Sequence, residues 1–362
     1  MNGDLKDDQL IEFVEQLSGE VHLRVEESLG SGFVRLRTAE AERRQAKHDI
    51  RFVEDIVIEM LRNARDAEAR NIFVATNREE DIRSLTVIDD GSGIPADLQK
   101  RIFEPRVTSK LDNMVMDCWG VHGRGMALYS ITANSRQARV VSSAPKLGAA
   151  FLVETSVERL PERSDQSTLP QLRRNDLGVL EIAKGPHNIA RTVVEFVLAE
   201  NQNINVYLGS PAQIAATLLE YGQKSLKREE LLFCKDAKTL PLVQRLAASG
   251  DSADLREASA ELGLAMSERT AHRILAGQIL PLKPLIKSAT GRSKEEVTAK
   301  EMLLHKDSRG LQISKQDSDR FVRALESAFE VLGESYYLSL VDMPKVRVKG
   351  NTISVRFEIE KE

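Results

Sequence analysis

Residues 85–95, Leu-Thr-Val-Ile-Asp-Asp-Gly-Ser-Gly-Ile-Pro, constrain this chain more than any other stretch. An aliphatic strand runs into two acids, and the acids run into a glycine-spaced turn closed by proline. Asp-Gly and Ser-Gly are turn dipeptides, so alone the segment reads as an acidic surface loop. The other reading buries one carboxylate against a ligand. The neighbouring sequence has to decide.

About thirty residues upstream, Glu-Asp-Ile-Val-Ile-Glu-Met-Leu-Arg-Asn-Ala-Arg-Asp-Ala predicts a long helix over roughly 49–69. Val53, Val57, Met60, Leu61 and Ala64 form its apolar stripe. Glu59 and Asn63 are four apart and stack on one face, where Asp55, Arg62 and Asp66 extend a polar stripe. A solvated helix face explains that pattern equally well. Downstream, residues 104–122 have no clear period and read as a long mobile loop, more often functional than idle. Gly-Val-His-Gly-Arg-Gly-Met-Ala-Leu follows, with Gly120, Gly123 and Gly125 opening a helix. Glycines there let backbone N–H groups approach an anion, aided by the helix dipole. That spacing is a weak signal by itself and is not the dinucleotide fingerprint, which needs a tight strand–turn–helix.

The remaining elements are read more coarsely. Residues 7–18 suggest an amphipathic helix, and alternation on either side of Gly30-Ser31-Gly32 suggests a hairpin. Asn-Ile-Phe-Val-Ala-Thr (71–76), Ala-Arg-Val-Val-Ser-Ser (138–143) and Ala-Phe-Leu-Val-Glu-Thr-Ser-Val (150–157) read as strands, and a short helix is expected after Pro95. Residues 158–178 are polar with two prolines and read as a disordered insertion or linker. Thr192–Leu198 and Ile204–Gly209 read as further strands, and Pro211–Gly222 as a helix with proline at its start. Residues 226–310 are helical throughout, and the end predicts one helix (about 315–332) with two or three short strands.

The chain has 362 residues, 41% hydrophobic and 29% charged, with a net charge of −4. That is ordinary globular composition, long enough for two or three domains. A nucleic-acid surface would have to be a local patch. Cys118 and Cys234 are too few for a metal site or a disulfide framework. The acidic beginning is not a signal peptide, and no apolar run would span a membrane. A cytoplasmic protein is expected.

The ordered set of Glu-x-x-x-Asn on a helix, a strand ending Asp-x-Gly-x-Gly, a loop and a glycine-opened helix resembles the GHKL (Bergerat-fold) ATPases. These include gyrase, the heat-shock-90 chaperones, histidine kinases and MutL, and the resemblance covers about residues 45–225. It implies ATP with Mg²⁺. Glu59 matches the catalytic glutamate that orients water, and Asn63 the asparagine that ligates Mg²⁺. Asp89 matches the aspartate that accepts from the adenine amine, with Gly91 and Gly93 turning beneath the base. Gly120, Val121, His122, Gly123, Arg124, Gly125 and Met126 match the phosphate-binding box. Thr192 matches a nucleotide-site threonine, although Arg191 stands where glycine often precedes it. Arg62 likewise stands where the family often has an acid.

Within that family, His48 lies too close to Glu59, without a preceding helical hairpin, to serve as a kinase phosphoacceptor. Arg-Val-Thr-Ser-Lys-Leu-Asp-Asn (106–113) resembles the lid of MutL and of topoisomerase VI B, which makes Lys110 a candidate for the phosphates. A solvated loop lysine is the bland alternative. Residues 255–279 resemble the helix–two-turn–helix insert of topoisomerase VI B. A DNA-binding helix-turn-helix with Ser267–Leu275 as recognition helix competes with this, as does plain helical packing. The expected fold is α+β: an N-terminal strap over 1–45, a Bergerat-type ATPase sandwich over 46–225, a helical segment over 226–310, and a shortened transducer-like α+β element over 311–362. The expected function is an ATP-driven homodimerising switch with slow hydrolysis. It would work with DNA and a nuclease or topoisomerase-A-like partner chain, away from membranes. A nucleotide-sensing regulator or chaperone-like module acting on a protein is the second possibility.

Overall fold

The structure is a computed structural model. It describes residues 25–38, 40–108, 115–117, 120–122, 125–175, 179–200, 203–226, 236–286, 321–330, 338–349 and 352–361. The expected helix over 7–18 lies outside these residues. The fold is α+β, and its contacts divide the chain into two units, residues 1–305 and 306–362.

The first unit opens with β1 (Val25–Gly30) and β2 (Phe33–Leu36), the hairpin expected about the Gly-Ser-Gly turn. Next come α1 (Glu40–Asp49), α2 (Val53–Asp66), β3 (Asn71–Glu79) and β4 (Ile82–Asp89). The single helix expected over 49–69 is therefore two. The Asp55 carboxylate accepts the N–H groups of Arg51 and Phe52, which breaks the run and starts α2 at Val53. No α-helix follows Pro95; the chain turns and makes one short 3₁₀ turn at Arg101–Phe103.

Short strands β5 (Val107–Thr108), β6 (Val115–Asp117) and β7 (Gly120–His122) follow. Within 104–122 the described residues are thus partly strand rather than loop: β5 pairs with β2, and β6 with β7. Then come α3 (Ala127–Asn134), β8 (Gln137–Ser143), β9 (Ala149–Ser156), β10 (Gln171–Arg174), β11 (Leu180–Lys184), α4 (Ile189–Ala199), β12 (Asn205–Gly209) and α5 (Pro211–Ser225). A 3₁₀ stretch at Leu242–Ala248 leads to α6 (Ser252–Glu261) and α7 (Glu268–Leu275).

Two segments depart from expectation. Thr192–Leu198 is helix, not strand. Its β-branched residues suit a strand locally, but Asn188 caps the helix by accepting from the Arg191 N–H. Ile189, Val193, Phe196 and Val197 then fall on one buried face. The stretch read as disordered is also held. Asn188 Nδ2 donates to the carbonyls of Asp165 and Thr168, and Gln166 Nε2 reaches the buried Glu54 carboxylate at 2.7 Å. β10 and β11 close the remainder as a hairpin.

The central sheet has the order β12-β3-β4-β9-β8, with β12 parallel to β3 and the other pairs antiparallel. Its period of two splits the core. Ile72, Val74, Leu85, Val87 and Val153 face one way, into a cluster with Val57 and Leu61 of α2 and Val193 and Phe196 of α4. Phe73, Ala75, Ile88 and Ala150 face the other way. There they meet Ile214 and Leu218 of α5, Leu242, Leu246, Leu255 of α6, Leu264 and Ile274 of α7. The helical segment is therefore the second cover of the sheet.

The second unit carries a helical run at 321–330 and β13 (Leu338–Leu340), β14 (Lys345–Lys349), β15 (Thr352–Arg356) and β16 (Ile359–Lys361). β13 pairs with β16 and β14 with β15, and Phe329 stacks on Phe357 with ring centroids 5.3 Å apart.

Candidate functional site

Two consecutive acids end β4, and the alternation of the strand sends them to opposite tasks. Asp89 shares parity with Leu85 and Val87, so it projects toward α2 and is only 3% exposed. Its Oδ1 accepts the Gly91 N–H at 2.9 Å. Burial pushes the Asp89 carboxyl up to about 7, and the neighbouring Asp90 charge adds to this, while the Gly91 and Ala149 N–H groups hold it back. Asp90 instead takes the N–H groups of Arg70 and Asn71 at 2.8 and 2.9 Å and the Asn71 amide at 2.8 Å. Asp90 fastens the turn, and Asp89 is left as the buried carboxylate of the site.

The turn itself is stapled to the end of α2. Ser92 N–H donates to the Ala67 carbonyl at 2.8 Å, and a Cβ on Gly91 would sit 2.6 Å from that same oxygen. Gly93 has φ +70, and a side chain there would run into the Ala144 carbonyl. Ser143 ties the far side: its hydroxyl accepts from Ile94 N at 2.8 Å and donates to the Gly148 carbonyl at 2.9 Å.

Glu59 and Asn63 stand on α2, as the spacing requires, and α2 packs against both β4 and α3. Glu59 Oε1 is 2.6 Å from an Arg62 guanidinium nitrogen; the two side chains are 19% and 2% exposed. Arg62 therefore leaves the solvated stripe that the sequence suggested and becomes part of the interior. Asn63 Nδ2 is buried with no hydrogen-bond partner among the described residues. A buried amide without a partner is costly unless something else meets it. The Asn63 Oδ1 is a hard oxygen donor of the kind that Mg²⁺ prefers, so Asn63 fits that ion. Among the described residues no group of three His, Cys, Asp or Glu could hold a metal alone.

The third region is described in part. Gly120, Val121 and His122 form β7 and do not open the helix; α3 begins after Met126. Lys110, Gly123 and Arg124 lie outside the described residues. Gly125 marks where the segment returns: its carbonyl accepts the Arg106 N–H at 2.8 Å, and Arg106, itself at φ +62, is ion-paired with Glu42 of α1. Thr192 stands in α4 with its hydroxyl turned back to the Asn188 carbonyl at 3.1 Å.

The strand neighbour of Asp89 is Ala149, and Gly148 before it lies so close that a Cβ would meet the Asp89 carbonyl. Sequence reasoning missed Gly148, Ala149 and Ser143. The available signal was a glycine placed directly before an alternating strand, Gly-Ala-Ala-Phe-Leu-Val-Glu. A cleft of about 460 Å³ is lined by Arg78, Arg83, Glu162 and Gln166 among others, and by none of these site residues. Arg83 and Glu162 neutralise each other there at 2.5 Å.

Residues 48–158 match the family model described as histidine kinase-, DNA gyrase B-, and HSP90-like ATPase. This segment is a GHKL ATPase domain. The GHKL domain thus takes in α2, the acidic turn, Gly125 and the two strands that flank Asp89. No curated protein matches the chain. Among solved structures, the crystal structure of the N-terminal domain of a DNA repair protein is similar at 19% identity and a TM-score of 0.25. That match covers 34% of this chain and 41% of the other, so the chain spans less than half of that structure. Among the described residues no helix is long and apolar enough to cross a membrane.

Proposed function

We propose that the protein is a Mg²⁺-dependent ATPase with slow turnover whose nucleotide state drives homodimerisation, serving a topoisomerase VI-like or other DNA-transaction complex. The observation that carries the nucleotide part is Asp89: a buried carboxylate that, among the described residues, is held by backbone N–H groups, at the start of a turn walled by glycines. Adenine's exocyclic amine is a donor that such a carboxylate can accept from, whereas guanine offers a carbonyl that it would repel.

Glu59 acts as the base, holding water and taking its proton as the γ-phosphoryl is attacked. Asn63 would hold Mg²⁺. When bound, the ion neutralises phosphate charge, and most of the catalytic effect is positioning and electrostatics. Lys110 and the glycine N–H groups at 120–125 are proposed for the phosphates on the family resemblance alone. Thr192 is not proposed for the nucleotide.

Calorimetric titration with ATP and GTP tests the reading. ATP binding that needs Mg²⁺, falls with Asp89→Asn and outlasts Glu59→Ala supports it. Equal binding of GTP, or normal ATP binding by Asp89→Asn beside loss in Asp90→Asn, refutes the pocket. One observation favours the second reading, a regulator acting on a protein. α6 and α7 spend their apolar faces on the sheet, and acids (Glu257, Glu261, Glu268) interleave with Arg256, Arg269 and His272 on their exposed side. Duplex DNA binding that weakens steeply with salt favours the DNA role; its absence favours the regulator.

A further inference from the structure

Arg62 has no part in the chemistry above, and among the described residues it is one of the largest side chains that are almost wholly buried. A guanidinium does not lose its proton, so in the interior it must be paired. It pairs with Glu59, one helical turn back, at 2.6 Å. The pair is asymmetric: the Arg62 side chain is 2% exposed, whereas that of Glu59 is 19% exposed and reaches partly into solvent. A glutamate alone on a helix face would sample several rotamers. Here Oε1 is held by a donor that is itself almost wholly buried.

We infer that Arg62 is a positioning residue for hydrolysis: it aims the Glu59 carboxylate at the water that attacks ATP. The inference rests on the ATPase reading and extends it to a residue whose type departs from the acid that the family resemblance leads one to expect. An aimed base gains because misplacement by about 1 Å costs rate on the order of 10²-fold. Substrate affinity should not depend on it, since a side chain only 2% exposed presents no surface to a bound nucleotide.

The test measures kcat and KM for ATP in the full chain for wild type, Arg62→Met, Arg62→Gln, Arg62→Lys, Glu59→Gln and the Glu59→Gln/Arg62→Met pair. Arg62→Met should lower kcat about tenfold or more while KM changes little. Arg62→Lys should recover part of the loss. The double variant should be no slower than Glu59→Gln, because without the base there is nothing left to aim. A merely structural role predicts multiplied losses or a loss of binding, and either overturns the inference. Should Arg62→Met fail to fold, Arg62→Lys and Arg62→Gln decide: Lys faster than Gln supports positioning, and equal rates overturn it. Wild type without ATP turnover overturns the ATPase reading beneath the inference. Wild type that turns ATP over beside an unaltered Arg62→Met overturns the inference alone.

Discussion

The Thr86 hydroxyl donates to the Gly263 carbonyl at 2.9 Å, tying the middle of the central sheet to the turn between α6 and α7. Thr86 lies three residues before Asp89, on the opposite face of the same strand. The helical segment therefore braces the strand that ends in Asp89.

Leu255 and Ile274 carry that support from the helical side. Leu255→Ala and Ile274→Ala should each cost about 2–5 kcal/mol of unfolding free energy, the usual range for emptying a buried site. Truncation at residue 225 should strip the 3₁₀ stretch at Leu242–Ala248 from α5 and β4 and yield aggregated protein. Urea melts of the variants measure the first effect. A soluble truncated chain that still binds ATP would contradict the second.

Asp89 should make the protein's stability depend on pH in a particular direction. Its folded pKa, about 7, lies above the ordinary 3.8, so the native state binds more protons between those values. The stability is full below about 3.8 and is lost as pH rises toward 7, by on the order of 4 kcal/mol in all. Asp89→Asn should flatten that slope. Adenine's amine favours the ionised carboxylate, so ATP binding should tighten as pH rises to about 7 and release a proton below it. Calorimetry in buffers of different ionisation enthalpy reads the proton directly. A wild-type slope of the opposite sign would count against the burial of this group.

Much of this is legible in the sequence because it is local. The stripe of α2 and the alternation of β3, β4 and β9 follow from short-range period, and every residue of the α2 stripe is buried as expected. What cannot be read depends on distant partners. The polar stretch from 160 to 168 looks unable to order itself, and it is Glu54 and Asn188, far away in sequence, that satisfy its backbone. Thr192–Leu198 has strand propensity, overruled by a cap at Asn188 and a core that needs a helix face. Arg62 reads as solvent-facing until its pairing with Glu59 and its burial are seen together. α6 and α7 are legible as helices, but nothing in their own period says which face of which sheet they cover.

Gly148 should tolerate no side chain. Its φ is +88, and a Cβ there would strike the Asp89 carbonyl, whereas Gly30, at φ +76, has open space around its Cβ position. Gly30→Ala should cost only the left-handed backbone penalty of roughly 1–2 kcal/mol. Gly148→Ala should cost clearly more and displace Asp89, weakening ATP binding as well. Comparing the two variants by thermal melts and ATP titration separates backbone strain from the steric clash. Equal effects would mean that the β4–β9 junction yields more easily than its packing implies.

The N-terminal region offers the sharpest test of the dimerising switch. The hairpin of β1 and β2 is no loose arm: Leu29, Val34 and Leu36 are buried in their own chain, and β2 pairs with Val107–Thr108. Phe33 likewise packs partly against the main core. An exchange of the N-terminal region with a second chain is therefore expected to use residues before the hairpin; Phe13, Val21 and Leu23 lie outside the described residues. Removing residues 1–45 would strip the hairpin as well, at roughly 1.5–3 kcal/mol for each of its buried side chains, and would also take away the Glu42 partner of the buried Arg106. That truncation should lower stability whatever the role of dimerisation. Removing only residues 1–24 should leave folding and ATP affinity intact and abolish ATP-induced dimerisation. Sedimentation velocity of the full chain and both truncations, with and without a non-hydrolysable analogue, distinguishes these effects. A full chain that remains monomeric at saturating analogue would defeat the switch and shift the weight to the regulator reading. A residues 1–24 truncation that still dimerises would place the contact elsewhere.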